Sequence, residues 1–226
     1  MDTSKENLDK YVLKTGTLTV GIVCKDGIIL AADNRQSYAS GNGIVYIAGT
    51  SEKITKINER IVATTAGTAS DSRRTLKIIS AQIKLKELKD KDKISMKEAA
   101  SLMSTILFQN IRTPSMIPSI AHFLMAGYDK NGEISLYDAS PDGYLQKIET
   151  YQATGAPFES LGILDMEYRK TIDLKEGTAL AIKLFEATKG RQPGVGDGFD
   201  IYTITSNKIE KIFSKKVKTE LIEKEV

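Results

Sequence analysis

The stretch Gly16-Thr17-Leu18-Thr19-Val20-Gly21-Ile22-Val23-Cys24, followed by Asp26-Gly27 and then Ile28-Ile29-Leu30-Ala31-Ala32, decides how the rest of the chain is read. Two β-rich apolar runs separated by an Asp-Gly pair are the signature of a hairpin closed by a primed turn. The first of them opens on a threonine preceded by glycine. A chain cut between Gly16 and Thr17 would begin with a residue carrying both a nucleophile and a base, because a free α-amine titrates near about pH 8 and lies within reach of its own Oγ. A Gly-Thr pair before a β-branched run is also how many ordinary strands begin, so the surrounding residues must decide between the two readings.

Outward from this hairpin the pattern alternates. Strand-like runs at 44–48, 53–57 and 61–66 follow a polar, Gly-rich stretch at 39–43, in which Gly41-Asn42-Gly43 reads as a turn. A helix is expected over 69–89, with Leu76, Ile79 and Ile83 on one face and Ile78, Leu85 and Leu88 widening it. A second begins at the capping box Ser95-x-x-Glu98 and stops before Pro114. The charged run 89–93 between them reads as a turn, since its lysines neutralise its aspartates. Asn131-Gly132 marks a second primed hairpin, joining 121–128 to 133–137. Helices are expected at 158–168 and from the cap Asp173-x-x-Glu176 to about Lys189. The segment 194–198 is a loop; no helix follows it, so Gly194-x-Gly196 is not a dinucleotide site. Strands at 199–205 and 209–213 close the chain. Hairpins alternating with helix pairs give an α+β fold, a four-layer αββα sandwich of two antiparallel sheets between helix pairs.

Composition narrows the chemistry. The 226 residues are 41% hydrophobic and 27% charged, which suits one globular domain with a substantial core. The net charge of +3 comes from 32 basic and 29 acidic residues spread along the chain, so no basic stripe points to nucleic acid. No apolar run is long enough for a membrane span. Cys24 and His122 are the only residues of their kinds, which removes intrachain disulfides, argues against a zinc site and leaves little for a histidine-based triad. Cys24 reads as core and His122 as a strand residue. No metal or cofactor is implied, and a reducing compartment fits best. The Lys-rich segment 208–218 reads as a solvated edge or terminal helix. Residues 1–16 are polar and lack the features of a secretory signal; they read as a removable leader or a frayed terminus.

Several spaced motifs resolve the Gly-Thr pair. It is followed by Ala31-Ala32-Asp33-Asn34-Arg35, Glu52-Lys53-Ile54, Thr64-Thr65-Ala66-Gly67, Gly127-Tyr128-Asp129 and Ala153-Thr154-Gly155. Together these resemble a proteasome β-type subunit, of the archaeal 20S kind, from Gly16 to about Thr205. The resemblance implies the N-terminal nucleophile fold, a propeptide over 1–16 removed by autocatalytic cleavage at Gly16-Thr17, and a β-type domain over 17–226. It implies a threonine-type endopeptidase in which Thr17 attacks, Lys53 lowers the pKa of its hydroxyl, Asp33 holds that lysine, and the Gly67 N–H stabilises the oxyanion. By the same analogy Gln36, Ser51, Thr65 and Ala69 line a small polar substrate pocket. The implied partners are other β-type subunits in a seven-membered ring, α-type subunits outside it and unfolded polypeptide substrates, in the cytoplasm, with neither nucleic acid nor membrane. The interval from Asp33 to Lys53 is about four residues longer than the family pattern, which reads as an insertion at the Gly41-Asn42-Gly43 turn.

Three departures bear on activity. The family carries an Arg-Asp followed closely by Ser-Gly, and an earlier Gly-Ser, whose Asp and Ser groups surround the threonine amine. This chain has Gln192 at the Asp position, Val195 at its Ser and Ala156 at the earlier Ser. The alternative is therefore a catalytically impaired structural β subunit of the same barrel. A different N-terminal nucleophile hydrolase such as an amidase would keep Thr17 and the sandwich without needing the Asp33, Lys53 and Gly67 set.

Overall fold

The computed structural model describes residues 16–39, 45–115, 118–155, 157–189 and 191–217. In chain order these form β1 (Thr19–Cys24), β2 (Gly27–Asp33), β3 (Arg35–Ala39), β4 (Val45–Thr50), β5 (Ile54–Lys56), β6 (Ile61–Thr64), β7 (Ala66–Gly67), α1 (Ala69–Asp90) and α2 (Met96–Arg112). They continue with β8 (Ala121–Tyr128), β9 (Ile134–Ala139), β10 (Leu145–Ile148), β11 (Tyr151–Thr154), α3 (Pro157–Glu167), α4 (Leu174–Thr188), β12 (Gly198–Ile204) and β13 (Ile209–Lys216).

One large sheet runs β11-β1-β2-β12-β13; the other runs β10-β9-β8-β6-β5, with β7 paired to β8, and β3 and β4 form a separate antiparallel ribbon. Every pairing is antiparallel. Alternation along β2 shows how the layers stack. Ile28, Leu30 and Ala32 face Val62, Leu124, Ala126 and Leu136 of the other sheet, whereas Ile29 and Ala31 face Leu180, Ala181 and Leu184 of α4. A strand buried on both faces needs a continuous apolar run, which 28–32 supplies. On the far side, Ile79 and Ile83 of α1 and Met103 and Leu107 of α2 pack on Phe123 and Met125 of β8. Three apolar layers between helix pair, sheet, sheet and helix pair make the expected αββα sandwich.

Local expectations hold for most elements. The capping boxes at Ser95/Glu98 and Asp173/Glu176 are formed, each side chain bonding the other residue's backbone N–H. Cys24 is buried, and burial foremost pushes its thiol up to about 12. The segment 209–216 is an edge strand rather than a helix, and its exposed lysines discourage pairing with another chain. Stacked Phe185, Phe199 and Phe213, with centroids 4.8 Å and 5.3 Å apart, tie α4 to β12 and that edge.

Two expectations need correction. Leu85 and Leu88 do not widen the buried face of α1 but stand 67% and 66% exposed; at 100° per residue, Leu85 lies about 200° round from Ile83, away from the sheet. Neither hairpin uses a two-residue primed turn, which requires positive φ at the first central residue and, in type I′, at the second as well. Cys24 pairs with Gly27, so the first loop is Lys25-Asp26, and neither residue has positive φ. The second loop spans five residues, with positive φ at Gly132 alone. The turn proposed at Gly41-Asn42-Gly43 lies outside the described residues, as does the leader before Gly16.

Candidate active site

Thr17, Asp33, Lys53 and Gly67 come from four separate strand ends and meet at one end of the sandwich. Asp33 closes β2 opposite Leu18, and there its side chain takes over from the backbone ladder: Leu18 N donates to Asp33 Oδ1 at 2.9 Å, while Asp33 N donates to the Leu18 carbonyl at 3.1 Å. This fixes the residue after Thr17. Lys53 immediately precedes β5, and its carbonyl accepts from the Thr65 N–H at 2.9 Å. Lys53 Nζ donates to Asp33 Oδ1 at 2.7 Å and to Thr17 Oγ1 at 3.1 Å.

All three side chains are buried, Asp33 completely. Burial lowers the Lys53 ammonium from the ordinary lysine value, with Asp33 opposing. The same burial raises Asp33, against the charge of Lys53 and its hydrogen bonds. Besides Lys53 and Leu18, the Arg35 N–H donates to Asp33 Oδ2 at 3.0 Å and the Gly196 N–H at 3.3 Å. Three of these partners are backbone N–H groups that can only donate, on both oxygens, and with Lys53 they offer four donors that the carboxylate alone can accept in full. The pair therefore presents a cationic Nζ to the threonine oxygen.

Gly67 lies at the rim of the cleft beside Thr17, with φ of +103°, and a Cβ there would run into the Ile120 carbonyl oxygen. A side chain is thus excluded twice over, by backbone conformation and by space. The cleft holds about 230 Å³. Gln36, Ser51, Thr65 and Ala69 all line it, as do Gly16, Ser37, Ser72 and Arg73. The last two were accessible to sequence reasoning: a helix face through Ala69 includes positions three and four further on.

The loop around 191–198 gives a different picture. Gln192 turns its amide to Glu159 of α3 at 2.6 Å. Val195 is 1% exposed and belongs to the apolar layer with Phe185 and Phe199. Ala156 lies outside the described residues. Gly16 and Gly194 meet backbone to backbone, so closely that a Cβ on either would collide with the other. Arg35 pins the loop: Nε and Nη2 each reach Asp197 at 3.1 Å, and Nη1 reaches the Pro193 carbonyl at 2.9 Å. Nothing in the sequence links Arg35 to a partner 162 positions away.

His122 is a strand residue, in β8, and its Nε2 contacts Asp138 Oδ1. Among the described residues no His, Cys, Asp and Glu cluster is arranged to hold a metal, and no helix is long and apolar enough to cross a membrane.

A family model described as Proteasome subunit matches residues 13–204. The proteasome subunit beta of Methanobrevibacter smithii is 34% identical over 211 residues, 93% of this chain and 97% of that protein. That of Methanosarcina mazei is 31% identical over 212 residues, 93% and 96% of the two chains. Proteasome subunit beta 2 of Caldivirga maquilingensis is 34% identical over 199 residues, 88% and 94%. With a match over most of its length and relatives covered almost end to end, the chain belongs to the proteasome subunit family, as a subunit of β type.

Proposed function

We propose that this β-type subunit is a threonine endopeptidase made active by removal of residues 1–16, working on unfolded polypeptides inside a cytoplasmic barrel of stacked seven-membered rings with α-type subunits outside. The observation that carries the reading is the chain of contacts from Asp33 through Lys53 Nζ to Thr17 Oγ1, at 2.7 and 3.1 Å. A buried cation at hydrogen-bond distance favours the ionised form of the oxygen it touches.

At the junction, Thr17 Oγ attacks the Gly16 carbonyl, the peptide bond to the Thr17 nitrogen breaks, and water hydrolyses the resulting ester. This releases the Gly16 carboxylate and frees the Thr17 amine. In turnover that amine takes the hydroxyl proton, directly or through a water, as Oγ attacks the substrate carbonyl. The Gly67 N–H stabilises the oxyanion, the departing amine takes up the proton, and water resolves the acyl ester.

A second reading has its own support. With Gln192 bonded to Glu159 and Val195 in the core, two of the polar groups that the family places around the amine are replaced by a side chain turned away and an apolar one. Losing residues that orient a base costs on the order of 10²- to 10⁴-fold in rate. On this reading the chain is a structural subunit of the same barrel.

Intact mass after co-assembly with α-type subunits separates the two. A chain lacking residues 1–16, with cleavage abolished by Thr17→Ala, is the expected result. Full-length chain in mature particles overturns the peptidase reading and leaves the structural one.

A further inference from the structure

The charged groups around the cleft beside Thr17 are not equally occupied. Four line it: Arg35, Glu52, Lys53 and Arg73. Arg35 is held in a fork by Asp197, Lys53 is buried against Asp33, and Glu52, largely exposed, is drawn outward to Lys211 at 3.0 Å. Arg73 has no ion pair among the described residues. Its Nη2 reaches only the Ser51 hydroxyl, at 3.4 Å, which keeps the guanidinium over the cleft without neutralising it.

Two further features favour a negative charge in the same place. Thr68, Ala69 and Ser70, at the start of the 22-residue helix α1, line the cleft. Thr68 caps the helix without a side-chain hydrogen bond, and the positive end of the helix dipole lies there. Asp71, the acidic residue of that first turn, is not part of the lining. The hydroxyls of Ser37 and Ser72, both 3% exposed and both in the cleft wall, have no hydrogen-bond partner among the described residues. Hydroxyl donors, a helix start and an unpaired guanidinium are complementary to a carboxylate, and Arg offers it two parallel donors.

We propose that Arg73 makes this cleft selective for peptides with an acidic side chain, Asp or Glu, on the residue whose carbonyl Thr17 attacks. The inference rests on the peptidase reading above and assigns its substrate class. Arg73 is itself exposed, so its contribution is that of a partly solvated ion pair and weakens with added salt.

The test uses particles co-assembled with α-type subunits and three peptides that differ only in carrying Glu, Leu or Arg before the cut bond. Cleavage by Thr17→Ala particles is subtracted. The Glu peptide is expected to have the highest kcat/KM. Arg73→Gln should lower the ratio of the Glu peptide's kcat/KM to the Leu peptide's about fivefold, and removal of residues 1–16 from the assembled variant chain reports that the site has folded. Arg73→Lys should keep the order, and Arg73→Glu should put the Arg peptide ahead of the Glu peptide. Thr17-dependent cleavage without a preference for Glu, or with one that persists in Arg73→Gln, overturns the role of Arg73 alone. If wild-type and Thr17→Ala particles cleave all three equally, the peptidase reading fails, and this assignment with it.

Discussion

The two sides of Thr17 are built on opposite principles. On one side, Asp33 and Lys53 form a buried ion pair in which both carboxylate oxygens have N–H donors and the ammonium reaches the threonine oxygen. On the other, the 191–198 loop offers backbone, an apolar Val195 and a Gln192 engaged elsewhere. On the peptidase reading proposed above, activation of the hydroxyl and handling of the amine are therefore separable: the first has its ion pair in place, and the second faces an apolar Val195 and a Gln192 turned away. A buried ion pair is a poor source of net stability by itself. On the proposed peptidase reading, its place is explained by the Thr17 oxygen that its ammonium touches.

The largest test of that contrast is to break the ionic side. Lys53→Ala leaves Asp33 charged in a fully buried position with only backbone N–H groups for company. Removing one partner of such a pair costs about 3–5 kcal/mol. Denaturant unfolding of the isolated chain should register that loss, and junction cleavage should stop in assembled particles. Lys53→Met with Asp33→Asn, which removes both charges but turns an amide NH2 toward backbone donors, should recover only part of the stability and none of the cleavage. Recovery of both would mean that the pair is scaffold only.

That contrast also marks what a reader of the sequence could and could not see. Apolar periodicity finds β1, β2, α2 and α4 because their burial follows their own local pattern. It misses β3, β10 and β11, where polar residues such as Gln146, Lys147 and Gln152 break the alternation and partners on neighbouring strands supply the order. Thr17, Asp33, Lys53 and Gly67 were legible as spaced motifs, although no local rule says that four strand ends converge. Arg35 with Asp197, and Gly16 with Gly194, were not legible, since each is a contact across more than 160 residues between positions that no local pattern sets apart. The overestimated width of α1 has the opposite cause: Leu85 and Leu88 are apolar, but on an isolated chain their angular position points them away from any layer.

The next test sharpens the other side by restoring what it lacks. Ala156→Ser, Gln192→Asp and Val195→Ser together should raise Thr17-dependent peptidase activity by about tenfold or more if orientation of the amine is the limiting defect. The gain will not come without cost. Val195 fills a place in the layer with Phe185 and Phe199, so a serine there loses packing and buries a hydroxyl, worth about 1–3 kcal/mol. Activity and Tm should move in opposite directions, and the double variant without Val195→Ser should lose less Tm, since it gives up only the exposed Gln192–Glu159 hydrogen bond. No rise in activity in either variant would locate the weakness elsewhere than in these positions.

The smallest effect concerns the backbone of that same loop, which differs from its side chains in being closely fitted to Gly16. Gly16 and Gly194 interlock beside the Gly16-Thr17 bond, and Gly194 can give way only if the 191–198 loop moves, which the fork from Arg35 to Asp197 and Pro193 resists. Gly194→Ala should therefore push the Gly16 carbonyl away from Thr17 Oγ and slow junction cleavage. A displacement of a fraction of an ångström in a reacting pair is worth about tenfold. A chain whose Thr17 is exposed from the outset has no Gly16 to displace, and its peptidase rate should not change. Pulse-chase of the junction, beside peptidase assays on the pre-exposed chain, reads both. Equal slowing of the two would show that the alanine disturbs the site itself, and no slowing of either would show that the loop yields. Only slowing confined to the junction makes the glycine pair a device for presenting the leader, and it would mean that the loop, poor in polar groups for the mature amine, is still shaped for the bond that releases it.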